Sequence, residues 1–253
     1  MSTEAPATTP LYVYGVIAPD AAAPAAPGIA GETIRTIVGD GVAVLISDLP
    51  DAEHLTLGRE EITTHAEVLE RALHGGTVLP MRFGVVMADE EALRSQLLDA
   101  HHDELREQLE ELAGKVELRL RAVYEEATLM REVVAENVQI AKLRQAIQGQ
   151  SQDASYYARI QLGELVVDAV QQKREDDTGA LLDELAPLTL DMRVGEPGNE
   201  RVALSASFLV EEKRIEEFDA AVEEIGRQQD TRMRLKYTGP LPPYSFVELS
   251  TEA

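Results

Sequence analysis

The chain has 253 residues, no cysteine, no tryptophan and a formal charge of −23, from 46 acidic and 23 basic side chains. That balance opposes non-specific attachment to nucleic acid or to an anionic membrane, and the missing cysteines exclude a disulfide framework, a thiol nucleophile and a thiolate metal site. The length suits two small domains better than one core.

Residues 1–10 are rich in Ser, Thr, Pro and Ala and are expected to be a disordered tail. They show no basic or apolar segment of a secretory leader. No apolar run reaches the ~20 residues of a membrane span, and the missing cysteines are compatible with a reducing cytosol. Leu11–Ile17 reads as a buried strand. An Ala/Pro-rich loop follows over 18–32. Thr33–Val38 and Val42–Ser47 form a hairpin about Gly39-Asp40-Gly41, where glycine supplies positive φ cheaply. Glu60–Leu73 is helical, with Ile62, His65, Leu69 and Leu73 on one face, and Gly75-Gly76 stops it. Thr77–Val86 reads as a strand interrupted by Pro80. A second helix runs from Asp89 to about Leu112, with Leu93, Leu97, Leu105 and Leu112 inward.

Beyond Gly114 the alternation becomes strict. Lys115–Val123 sets Val116, Leu118, Leu120 and Ala122 against Glu117, Arg119 and Arg121. A helical region of about 50 residues follows. Its first part aligns Leu129, Val133, Ile140, Leu143 and Ile147, and its second part ends in a solvated Lys/Arg/Asp cluster. Pro187–Val194 and Arg201–Val210 alternate again; Leu188, Leu190, Met192 and Val194 are expected inward in the first of them. Glu211–Ile225 is a helix, and Thr231–Tyr237 is a last strand. The fold class is therefore α+β in two domains, 11–112 and 113–238, closed by a strap and tail at 239–253. The β-α-β-β-α-β order of the second domain predicts a ferredoxin-like sheet with an enlarged helical first crossover.

No phosphate loop, dinucleotide fingerprint or His-Glu-x-x-His motif occurs. The five histidines are His54, His65, His74, His101 and His102. His65 reads as a satisfied core histidine. The adjacent pair His101-His102 cannot converge on a metal, because neighbouring helical residues face apart. No metal, cofactor or catalytic residue is assigned, and the acidic helical clusters read as solvated faces. A strand order of 4-1-3-2 would collect Arg232, Arg234 and Lys236 beside Arg119, Arg121 and Glu117 on one polar face, a docking site for an acidic segment. That face carries no aromatic platform for bases, so nucleic acid is not expected there. Arg82 beside Phe83 is expected to pair with a carboxylate or with backbone carbonyls.

Tyr237–Val247 reads Tyr-Thr-Gly-Pro-Leu-Pro-Pro-Tyr-Ser-Phe-Val. Pro240, Pro242 and Pro243 exclude a helix and a central strand, so a stiff strap is expected, with Tyr244 and Phe246 docked near Leu79–Gly84 or, in the alternative, exposed with Phe83 as partner-binding residues. With Tyr12-Val13-Tyr14-Gly15-Val16 and Leu79-Pro80-Met81-Arg82-Phe83-Gly84, this run resembles the gas vesicle GvpL/GvpF family over roughly residues 11 to 249. Leu241 stands where many members have tryptophan. The resemblance implies a cytoplasmic, non-enzymatic accessory protein of gas vesicle assembly. Its partners would be the small hydrophobic shell protein and other accessory proteins, and it would remain in some measure with the vesicle. It does not separate the L type from the F type. A competing reading is a small-ligand regulatory module of ferredoxin-like type, which rests on fold analogy.

Overall fold

The computed structural model describes residues 9–50, 58–151 and 153–248. Most of the expected N-terminal tail, His54 and the tail beyond Glu248 lie outside them. The contacts divide the chain into two units. The first comprises residues up to Glu117 together with those from Pro240 onward, and the second is Leu118–Gly239.

The first unit is built on β1 (Leu11–Ile17), which is buried at every position. It pairs antiparallel with β3 (Val42–Asp48), which in turn pairs with β2 (Arg35–Gly39) across the Gly-Asp-Gly turn. Helix α1 (Arg59–His74) packs on β1 and buries His65, Val68, Leu69 and Ala72. Ile62, expected inward, is 52% exposed because the packed stripe is narrower than the apolar pattern. The expected strand at 77–86 is two pieces, β4 (Val78–Pro80) and β5 (Val86–Met87), both paired to β1. Pro80 has no N–H to continue the ladder, and the chain leaves the sheet there. The second helix is a run of α2 (Glu90–Leu93), a π-helical stretch at Arg94–Asp99 and α3 (Ala100–Glu111). Leu93, Leu97, Leu105 and Leu112 are all buried. β1 and β3 are apolar on both faces, as strands covered on both sides require. Gly15 is a position of close approach: a Cβ there would lie 2.6 Å from the Leu79 carbonyl oxygen and 2.9 Å from the Leu69 side chain.

The second unit orders its strands β7-β8-β6-β9. They are β6 (Lys115–Tyr124), β7 (Asp191–Val194), β8 (Val202–Glu211) and β9 (Met233–Leu241). Between β6 and β7 lie α4 (Glu126–Glu136), α5 (Val138–Ile147) and the 30-residue α6 (Tyr156–Leu185). Helix α7 (Ile215–Gln229) lies between β8 and β9 and sets Phe218 between Phe208 and Tyr237, with ring centroids 5.3 and 6.0 Å away.

Four details depart from the sequence pattern. The Leu129–Ile147 stripe is broken at Asn137, whose extended backbone ends α4 and whose side chain accepts from the Gln139 and Ile140 N–H groups to cap α5. Helix α6 continues a further ten residues or so past the cluster expected to end it. Leu190, just before β7, and Val194 within it are about half exposed, because β7 is an edge strand with no strand of the described residues beyond it. β9 runs on through Pro240 to Leu241, which an edge strand tolerates because its outer N–H groups need no partner.

Candidate functional site

In the first unit, two of the three sequence motifs and α1 meet around His65, and the third contributes Tyr244. The Met81 carbonyl can only accept, so the His65 Nε2–H donates to it at 3.2 Å. Nδ1 is left to accept from the Tyr12 hydroxyl at 3.0 Å. That hydroxyl accepts in turn from the Gly84 N–H at 3.0 Å. This chain of donors fixes a neutral imidazole. Burial acts in the same direction and holds the His65 pKa below the ordinary imidazole value, against the Met81 hydrogen bond. Burial also pushes the Tyr12 hydroxyl up to about 12. Tyr14 shares its hydroxyl with Ser47 at 2.9 Å and accepts from the Ile29 N–H at 2.7 Å. Phe83 and Tyr244 are partly buried against the same core. Phe246 is half-buried, and its N–H donates to the Pro243 carbonyl at 3.0 Å. The strap is anchored by a group whose role the sequence hid. Glu117 is fully buried and accepts from the Ser245 N–H at 2.7 Å and from the Ser245 hydroxyl at 2.9 Å. Arg82 pairs with no carboxylate or carbonyl among the described residues: it is exposed, because the strand that would have carried it inward ends at Pro80.

In the second unit, the expected basic face is only partly realised. Arg119, Arg121, Arg234 and Lys236 are exposed on the neighbouring strands β6 and β9. Glu117 is not on that surface, since it is buried with Ser245. Arg232 turns away to a clamp. Its guanidinium donates to Glu132 on α4 at 2.8 Å and to Asp177 on α6 at 2.9 Å. Lys173 joins Glu132 at 3.0 Å and Glu136 at 2.9 Å, and the Tyr124 hydroxyl donates to Asp177 at 2.7 Å. Part of the cluster expected to be solvated is therefore a half-buried ion network. Burial pulls the Glu132 carboxyl up, but hydrogen bonds from Arg232 and Lys173 outweigh it and hold the pKa below the ordinary range.

Sequence reasoning missed a second feature of this unit. The clamp fastens the middle of α6, and its last turns bury Leu181 and Leu185. Its first turns do not pack comparably. Tyr156, Ile160 and Val167 recur at helical spacing on one face and are exposed, as are Tyr157, at 84%, and Val138 on α5. That face runs into a groove of roughly 830 Å³ with Leu129, Met130, Val166, Val167 and Val170 on its apolar side and charged and polar side chains, Glu126, Arg174 and Arg201 among them, in the rest of its lining. Periodicity had marked some of these residues as core. It cannot say which apolar face finds a partner within its own chain.

The family model described as gas vesicle synthesis protein GvpL/GvpF matches residues 10–248. The chain belongs to the GvpL/GvpF family. Gas vesicle protein F of Streptomyces sp. (strain CB03234) is 34% identical, with 94% of this chain and 99% of that protein aligned. Gas vesicle protein F of Nostoc sp. (strain PCC 7120) is 27% identical over 95% of this chain and 98% of that one. The crystal structure of GvpF from Anabaena sp. PCC7120 superimposes with a TM-score of 0.84 at 27% identity, covering 96% of this chain and all of that one. For a GvpL/GvpF protein, the three motifs thus act mainly in building the first unit. The exposed chemistry lies elsewhere, on α6 and on the open face of the second sheet. Among the described residues no helix is long and apolar enough to cross a membrane, and no cluster of His, Asp and Glu has the arrangement of a metal site.

Proposed function

We propose that this protein is a non-enzymatic accessory factor of gas vesicle assembly that acts in the cytoplasm and at the vesicle. On this reading it holds the small apolar shell subunit along the exposed stripe of α6 and the adjoining groove, and meets other accessory proteins through its remaining surface. One observation carries the binding role: large apolar side chains stand in water along one helix face of a chain with charge −23. Soluble proteins rarely leave such a patch contiguous unless a partner covers it. The high charge keeps the holder soluble while the patch stays available. The strand order and the helical insertion support reading the second unit as ferredoxin-like, with α4, α5 and the first half of α6 as an enlarged crossover that supplies the docking surface. Arg82, exposed beside the motif core, is a further contact on the same reading.

The test is the double variant Ile160→Glu, Val167→Glu. Both side chains point into water, so the thermal midpoint should not move, while capture of the shell protein from vesicle-forming cells should be lost. Undiminished capture by a folded variant would sink the groove reading.

A further inference from the structure

The open face of the second sheet carries Arg119 and Arg121 on β6, Arg234 and Lys236 on β9 and Arg193 on β7, all exposed. Ser205 and Ser207, half-buried on β8, lie on the same side as judged from the strand's alternation. Three carboxylates border it: Asp191 is 2.7 Å from Arg193, Glu125 pairs with Arg234, and Glu211 at the end of β8 is 3.1 Å from Lys213. No carboxylate of the described residues is paired with Arg121 or Lys236. The face is rich in hydrogen-bond donors and poor in acceptors.

Edge protection accounts for part of this. β7 and β9 are the edge strands, and cations there discourage another sheet from pairing. β6 is an interior strand and needs no such protection, yet it presents two arginines. We infer that this face is a docking site for a carboxylate-rich segment of a partner polypeptide, lying across β6 and β9. The net charge of the chain does not forbid it. At physiological ionic strength charges are screened over about 8 Å, so a segment on the sheet responds to the nearby cations rather than to the distant acidic helices. Arginine forks take carboxylates two oxygens at a time, and Lys236 adds a third donor centre. Arg121 and Lys236 do not line the α6 groove, so the two readings can fail independently.

The experiment uses the full chain and a short fluorescent polyglutamate peptide, with fluorescence anisotropy read across a salt series. The peptide should bind at low salt and weaken steadily as salt rises. Arg121→Glu with Lys236→Glu should lower its affinity by about tenfold or more, since two exposed pairs are replaced by repulsion. Arg121→Gln with Lys236→Gln should fall between. Both residues are exposed, so circular dichroism should show an unchanged fold. Absence of binding at low salt, or equal affinity in the charge-reversed variant, overturns the assignment. A single-stranded RNA oligonucleotide of matched charge that binds more tightly than the peptide also overturns it, in favour of nucleic acid.

Discussion

The aromatic core of the first unit and the first half of α6 hold similar residues under opposite conditions. Tyr12 and Tyr14 are fully buried, and each hydroxyl has two hydrogen-bond partners. Tyr156 and Tyr157 are exposed, with ring centroids 5.4 Å apart. In the first case the aromatic payload stabilises the fold; in the second it stays in water and contributes little to it. The residues that make the family recognisable are therefore mostly those that make the first unit fold. The surface with unspent apolar area carries no recognisable string.

That contrast can be broken from its stable side first. Tyr14→Ala should cost about 3–5 kcal/mol, read as a lowered denaturation midpoint, because it opens a cavity and also strips Ser47 and the Ile29 N–H of a partner. A cost within the range of surface substitutions would show that the core is not cooperative. Ser245→Ala should cost less, about 1–3 kcal/mol, since it leaves the buried Glu117 with one donor fewer.

His65 sharpens the comparison through pH. Its folded pKa lies below the ordinary value of about 6.5, so below that value the unfolded chain binds the extra proton first. The contribution of His65 is complete above about pH 6.5 and is lost as pH falls, until the folded site also protonates. His65→Gln should therefore flatten the part of the midpoint-versus-pH curve just below neutrality. An unchanged slope would mean that the imidazole is not held neutral by its neighbours. The smallest stability effect belongs to α6: Ile160→Glu should lie within about 0.5 kcal/mol of the parent.

Much of this architecture was legible because burial writes periodicity into strands and helices. The alternation of β6 and β8, the hairpin at Gly39–Gly41 and the leucines from Leu93 to Leu112 all describe one face against another. What failed depended on third parties. Glu117 reads as an outward residue until Ser245, 128 positions later, covers it. Arg232 alternates with the outward set, yet Glu132 and Asp177 on two helices draw it away. Leu190 alternates as an inward residue, but it leads into an edge strand and stays half exposed. The α6 stripe was hidden for the converse reason: an apolar face with a partner and one without have the same spacing.

The first unit is not continuous in sequence, since it needs residues up to Glu117 and those from Pro240 onward. During synthesis the intervening 118–239 emerges whole and can fold while its neighbour still lacks its last segment, because domains fold as units while the chain lengthens. Until residues 244 and 245 have been made, Glu117 has no Ser245 to satisfy it, and the Tyr12–Phe83 core lacks the cover of Tyr244. A chain truncated just before Tyr244 would thus damage the unit that begins the sequence, far from the cut. Proteolytic sensitivity in such a product should appear first within the N-terminal half, far in sequence from the lesion.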